Sequence, residues 1–532
     1  MTRPVREIYI HWIKYRSFVL GAALGASFVM FSLCIFIMYV ASDPRSGAIH
    51  VLVGYYPVFR AAFLFNFWLL LMGLAQFIWR RMSVNYHEHL SLKSGGINYT
   101  ESLTNAASGF VLCFFFFVAF VMQLLAPKVF ETTPKHILPL LALLSPLVLL
   151  LWPSDRPPLF FYSAPGVAKA RRFVIREVFV TMLWPLSKPM FHRTFIADVF
   201  CSMPKLLTDL QFSACVYLWT EGDLDSSTDT NGCDSSSSTY ALLARVLACF
   251  PFATRLLQSI HAALLVEGEL VNSSADRKSD EYTSLSAEFR KHLLNSCKYV
   301  ASLALVGVSL SLKTTWAASD PTLLASLNVL WVILSIGCTI FNYVWDVFMD
   351  WGLGGWLQSR AKKDDIEEDS ESTSDPESMS ADFREPEIPG SAGGADVAAP
   401  GPDSERFLFS AEFDEAKDVS QLGHWLSSKP EDRYFPHGMY VFAVISNAIL
   451  RFGWAIYVSP NQEVVAQHTI LLLACMELLR RFTWALIRVE WEQVKQARKA
   501  TGLGGGSKRR SDYQERDVGL SRESILEAEL AR

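Results

Sequence analysis

Residues 17–40 read SFVLGAALGASFVMFSLCIFIMYV and carry no charged side chain. The hydrocarbon core of a bilayer is about 30 Å thick, and an α-helix needs roughly 20 mostly apolar residues to cross it. A secretory signal has an apolar core of only about 7–15 residues. This run is therefore read as a membrane span and not as a cleaved leader. Nine more runs follow, at 51–79, 108–126, 137–153, 195–219, 239–262, 291–313, 322–347, 437–459 and 466–489. The sequence thus predicts an all-α, polytopic membrane protein with about ten transmembrane helices. Composition agrees: 51% of residues are hydrophobic, 13% aromatic and 19% charged, against roughly 25% charged in an average soluble domain.

Basic residues next to apolar runs mark the cytosolic side. Arg3, Arg6, Lys14 and Arg16 precede the first run, Arg80 and Arg81 end the second, and Lys169, Arg171, Arg172 and Arg176 follow the fourth. Arg360, Lys362 and Lys363 follow the eighth, and Lys495, Arg498 and Lys508 follow the tenth. The alternate loops are poorer in Lys and Arg, the weakest fit being 127–136 with Lys128 and Lys135. Both termini are expected in the cytosol.

The organisation expected along the chain is a short cytosolic N-terminus at 1–16, with no soluble domain before the first span, and a four-span region at 17–153. A cytosolic linker at 154–194 follows, then a six-span unit at 195–490 and a cytosolic tail at 491–532. Within the linker, GVAKARRFVIREVFVTMLW mixes basic and apolar residues; an interfacial amphipathic helix and an ordinary linker helix both fit it. Residues 361–405 are rich in Asp, Glu, Ser, Gly and Pro, too polar to bury a core. They read as a disordered cytosolic insertion.

The nine cysteines fall almost all inside apolar runs, Cys233 alone lying in a polar loop. Neither a disulfide framework nor a metal spacing is visible. There is no nucleophile elbow and no phosphate-cradling Gly loop ahead of a helix. His87, His89 and His192 read as surface residues. No catalytic residue, metal or cofactor is expected, and no nucleic-acid partner.

The informative residues are the ionisable ones inside the spans, because a charge at a helix centre costs about 2.5–3.5 kcal/mol on the insertion scale. In the tenth run, LLACMELLRRFTWALIRVEWEQ, Glu477 and Arg481 are four apart and can pair on one face. Arg480 and Trp484 lie on the adjoining line. Arg451 sits mid-way along SNAILRFGWAIYVS, between Asn447 and Trp454. In FIADVFCSMPKLLTDLQF, Asp198, Ser202, Lys205 and Asp209 form a polar stripe, with Pro204 kinking the helix. Asp346 and Asp350 are four apart in NYVWDVFMDWG, and Lys298 and Tyr299 lie two turns into the seventh run. The sixth run adds Arg245, Arg255 and Gln258. Arg451, Arg480, Arg481 and Lys298 face Asp198, Asp346 and Glu477 as partners. Structural ion pairs account for part of this pattern. Guanidinium groups present planar donor forks to oxyanions, and a divalent oxyanion such as phosphate fits the surplus of positive charge.

ILRFGWAIYVS, MELLRRFTWALIRVEWEQ and WDVFMDWG closely resemble the EXS family of phosphate exporters. FIADVFCSMPKLLTDLQF, RVLACFPFATRLLQS and LLNSCKYV look like three further family segments in the same order. YYPVFRAAF and WRRMSVNY resemble the family's earlier spans. The resemblance implies movement of inorganic phosphate through a pathway among the last six spans. By motif match it implies that Asp198, Lys298, Tyr299, Arg451, Arg480 and Arg481 bind phosphate. It places Ser202, Asp346, Asp350, Trp454, Glu477 and Trp484 in the pathway or its gate. It also implies a homodimer through the first span, where GAALGAS spaces small residues along the helix.

Cys201, where the family often has Asn, and Pro204 depart from the family pattern. With no SPX domain expected before the first span, the architecture looks more like the family's Golgi member than its plasma-membrane exporters. The expected location is the Golgi membrane, with the plasma membrane as alternative. The competing reading is a non-transporting Golgi receptor or scaffold that retains glycosyltransferases and ER residents.

The sequons at Asn98 and Asn272 fall on the cytosolic side of this map and are expected to stay unmodified. A glycosidase-sensitive mobility shift of the full chain, lost in Asn98→Gln or Asn272→Gln, would contradict the orientation.

Overall fold

The structure is a computed structural model. It describes residues 48–92, 99–129, 136–151, 167–219, 233, 238–272, 280–312, 319–353, 433–453, 455 and 466–500, with the single positions 21, 25, 29 and 32. Most of the first span, the 361–405 insertion, Asn98, Trp454 and the chain beyond 500 lie outside the described residues.

Every regular element among the described residues is helical. In chain order these are α1 (Ala48–Arg81), α2 (Tyr86–His89), α3 (Tyr99–Val129), α4 (Ile137–Leu151), α5 (Val167–Leu183), α6 (Phe191–Phe200) and α7 (Pro204–Trp219). Then come α8 (Ser238–Asn272), α9 (Asp280–Ser311), α10 (Pro321–Trp345), α11 (His437–Arg451) and α12 (Ala466–Ala500). Among the described residues four segments are long and apolar enough to cross a membrane: Gly54–Arg81, Thr239–Val271, Ser284–Ser311 and Pro321–Asp350. Helix α12 carries Glu477, Arg480, Arg481 and Arg488 along its length, which keeps its hydropathy low.

The exposed faces are apolar. Val329, Ile333, Ile336 and Ile340 of α10 and Phe442, Ile445 and Ile449 of α11 point away from the bundle. The interior collects the polar side chains, the arrangement a lipid solvent favours.

Helix α1 is the central strut. Phe59 and Phe63 pack edge-on and tilted against Phe116, Phe117 and Phe120 of α3. Gly109 lets the two backbones approach, since a Cβ there would stand 2.6 Å from Leu70 Cα. Arg60, in the middle of α1, is buried and donates to both carboxylate oxygens of Asp209 on α7, at 2.6 and 2.8 Å. At the other end of α1, Trp79 Nε1 donates to Leu486 O of α12.

Helix α10 ends in one wider turn of π-helix, Asp346–Asp350. The chain leaves this point at Trp351–Leu353 and returns at Arg433. There Arg433 donates to Trp351 O at 2.5 Å and lies against Glu490 of α12. Glu490 is fully buried and also accepts from Tyr440 O–H and the backbone N–H of Tyr434. Arg433 stacks on Trp491 at 4.6 Å.

Several expectations change. The run 195–219 is two helices, because Pro204 opens α7 after a break at 201–203. The last helix continues ten residues past the 490 boundary, to Ala500. His89 and His192 are buried, not superficial. Burial pushes the His87 imidazole down to about 4, with Arg80 adding to the shift.

Cys215 and Cys233 form a disulfide, so two cysteines read as unpaired are a bridge. The sequence hid it because Cys215 sits inside an apolar helix. Closing a loop of this length is worth about 3 kcal/mol in the chain-entropy account. Cys215→Ser or Cys233→Ser is expected to lower the thermal midpoint of the detergent-solubilised chain. A maleimide mass tag on denatured protein is expected to count two more thiols after reduction than before; an unchanged count would show that the bridge does not form.

Candidate functional site

Six elements bring ionisable side chains to the middle of the bundle. The break after α6 turns Ser202 inward beside Asp198. Asp198 accepts from Arg255 Nε of α8 at 2.7 Å and from the Tyr299 hydroxyl of α9 at 2.5 Å. Arg255 also donates to Gln258 at 2.9 Å. Ser202 accepts from Arg481 Nε at 2.8 Å and donates to Glu477 at 2.6 Å, so one hydroxyl joins a guanidinium to a carboxylate.

Asp346 opens the π-turn and is buried. It takes a short charge-assisted bond from Arg451 Nη2, one from Asn447 Nδ2 at 3.1 Å, and lies 3.4 Å from Arg480 Nη1. Glu477 is held by Arg480 through Nε at 2.8 Å and Nη2 at 2.5 Å. Pairing of Glu477 with Arg481, expected from the four-residue spacing, does not occur; the partner is three residues on. Arg481 instead lies over the Trp484 ring at 4.5 Å.

Lys298 is buried between two rings, 4.6 Å from the centroid of Tyr299 and 5.0 Å from that of Trp345. Neither Lys298 nor Arg481 forms an ion pair among the described residues, although both lie within electrostatic reach of Asp198. Counting Asp350, which also acts on Lys298, together with its neighbour Arg488, six cations (Arg255, Lys298, Arg451, Arg480, Arg481, Arg488) meet four carboxylates (Asp198, Asp346, Asp350, Glu477), a surplus of two.

Trp484 closes one side. It stacks on Phe195 at 5.7 Å between centroids and donates from Nε1 to Asp350 at 3.0 Å. Asp350 is 3.7 Å from Arg488 Nε. Past this point the rim is charged. Glu492 lies 2.5 Å from Lys495. Burial, with help from Arg488, still pushes that ammonium down to about 8.

The polar stripe read along 195–219 divides at the break. Asp198 and Ser202 reach the cluster, whereas Asp209 pairs with both Lys205 and Arg60. Arg245 is exposed on the outside of α8. Arg255, left out of the expected binding set, is the direct partner of Asp198. Its signal was an arginine in mid-span, and nothing in the spacing ties it to a carboxylate 57 residues away.

The sequence matches the EXS family over residues 55–494. The chain belongs to that family. It is similar to Protein SYG1 of Saccharomyces cerevisiae, at 23% identity over 90% of this chain and 43% of the yeast protein. It is similar to human Solute carrier family 53 member 1, at 22% identity over 82% of this chain and 50% of the human one. It also resembles the Arabidopsis thaliana Phosphate transporter PHO1 homolog 9, at 26% identity over 52% of this chain and 30% of the plant protein. The chain spans half or less of the length of these relatives.

Asp346 is the shared counter-charge of two buried guanidinium groups. Removing one partner of a buried ion pair costs about 3–5 kcal/mol. Asp346→Asn is therefore expected to lower the thermal midpoint strongly, and Asp346→Asn with Arg451→Met to recover part of the loss. Equal midpoints for wild type and Asp346→Asn would show that the pair is not dry.

Proposed function

We propose that this EXS protein moves inorganic phosphate across a membrane through the polar interior among α6–α12. The observation that carries the reading is the surplus of two cations: Lys298, buried, and Arg481, half-buried, lie beside Asp198 and form no ion pair among the described residues. Hydrogen phosphate is a doubly charged oxyanion with several acceptor oxygens. Arg481 offers its Nη donors and Lys298 a point charge, a set suited to phosphate; Tyr299, assigned to the site by family motif, gives its hydroxyl hydrogen to Asp198. The carboxylates keep the local field moderate, so that an anion enters and also leaves. Asp198, Arg451 and Arg480 belong to the same charge lattice. Asp346, Asp350, Glu477, Ser202 and Trp484 hold the lattice in place or line its exit, and Trp454 is assigned to the gate by family motif. The name of the plant relative, a phosphate transporter, supports this cargo.

The ten-span arrangement with both termini cytosolic is part of the proposal. On that map the Cys215–Cys233 bridge lies on the far side of the membrane, where oxidising conditions let disulfides persist. The Golgi lumen and the cell exterior both meet that condition, and co-localisation with compartment markers decides for the Golgi or against it. A homodimer through the first span completes the reading: Gly21, Gly25 and Ser32 are helical and fall on one face, with open space around both glycines.

The test is efflux of labelled phosphate from proteoliposomes. Wild type is expected to release it well above protein-free vesicles. Hydrogen bonds to charged groups are worth about 1.5–3 kcal/mol, so Arg481→Ala and Lys298→Ala are each expected to reduce the rate by roughly tenfold or more. If efflux equals the protein-free background, or both variants match wild type, the transport reading fails and the scaffold reading takes its place.

A further inference from the structure

The outward face of α5 changes character along its length. Lys169, Arg172, Arg176, Phe179 and Leu183 follow at steps of three and four, so they share one face, and all five are exposed. The first three are basic and the last two apolar. Beyond the helix end the exposed apolar surface continues: Leu183 is 63% exposed, Trp184 71% and Leu186 58%.

The opposite face is anchored. Glu177 and Thr181, one turn apart, are buried. Glu177 receives Arg193 Nε at 2.9 Å and has His192 Nε2 at 3.1 Å, both from the start of α6. Burial alone would raise the Glu177 carboxyl, and these two bonds outweigh it and hold it below the ordinary range. Helix α5 is thus fixed from within, and the question is what covers it from without.

We infer that this face is a docking surface for anionic phospholipid in the leaflet on the cytosolic side. Phosphate and carboxylate headgroups meet Lys169, Arg172 and Arg176, and acyl chains cover Phe179, Leu183, Trp184 and Leu186. From Arg172 to Leu183 the helix advances about 16 Å at 1.5 Å per residue. That reach takes it from the headgroup region into the hydrocarbon, since headgroups add roughly 5–8 Å to each side of the core. The helix therefore enters the bilayer obliquely, basic end outward. A solvated linker helix would not gather four large apolar side chains on its open side. Free phosphate accounts for the basic half of the stripe and not for the apolar half.

The consequence reaches the charge cluster. The helix that holds Glu177's partners, α6, also carries Asp198, five residues after Arg193. Lipid that grips α5 thereby steadies the element that presents Asp198. The inference depends on the chain residing in a membrane and not on the cargo, so it stands or falls separately from phosphate transport.

The experiment places the full chain in phosphatidylcholine vesicles doped with photoactivatable phosphatidylserine or, in parallel, photoactivatable phosphatidylcholine, and maps the adducts by mass spectrometry. Each basic residue near an acidic surface contributes about a five-fold preference. Adducts within residues 167–190 are expected about tenfold more often from phosphatidylserine than from phosphatidylcholine. The Lys169→Gln, Arg172→Gln, Arg176→Gln triple variant is expected to fall to the phosphatidylcholine level. Arg172→Lys with Arg176→Lys, which keeps the charge, is expected to retain the preference and guards against a folding defect. Equal labelling by the two lipids in wild type overturns the inference. So does undiminished labelling of the triple variant, or displacement of the label by excess inorganic phosphate.

Discussion

A guanidinium group stays charged in any surroundings, so each arginine folded into an apolar bundle demands an anion within reach. That demand organises this molecule. Asp346 answers Arg451 and Arg480, Glu477 answers Arg480 a second time, and Asp198 answers Arg255. These bonds join α6, α8, α10, α11 and α12. Arg60 and Asp209 do the same between α1 and α7, away from the cluster. Because hydrophobic contact gives little net gain between helices already dissolved in lipid, ion pairs and polar bonds carry much of the specificity of assembly.

The irregular backbone sits where this lattice is densest. The break at 201–203 places a serine hydroxyl between Glu477 and Arg481, a position that an unbroken helix would fill with its own turn. The π-turn at Asp346–Asp350 directs two carboxylates toward α11 and α12. Non-helical backbone at membrane depth is tolerated where it is enclosed by protein or lines a wet cavity. Both interruptions lie in that setting, with Trp484 packed between them.

Much of this was legible in the sequence. The apolar runs marked the helices, and the arginines within 437–459 and 466–489 marked the polar interior. The pairing was not legible. Spacing along one helix suggested Glu477 with Arg481, and the fold chose Arg480 because Ser202, from a distant helix, took the other guanidinium. Arg255 was visible as a charge and invisible as a partner, since its carboxylate comes from another element. Cys215 looked like a small core residue, and only three-dimensional proximity to Cys233 distinguishes it. The basic-to-apolar drift along α5 was present in the letters as a mixture. It became a directed face once Glu177 was seen to be turned inward.

The clamp of Arg433 onto the carbonyl of Trp351 brings together two points of the chain that are 82 residues apart in sequence. A polypeptide spliced between two neighbouring anchor points exerts little leverage on the body that holds them. The helical body therefore fixes the point of departure and the point of return at one place, so the geometry of the charged interior is set by the anchors themselves.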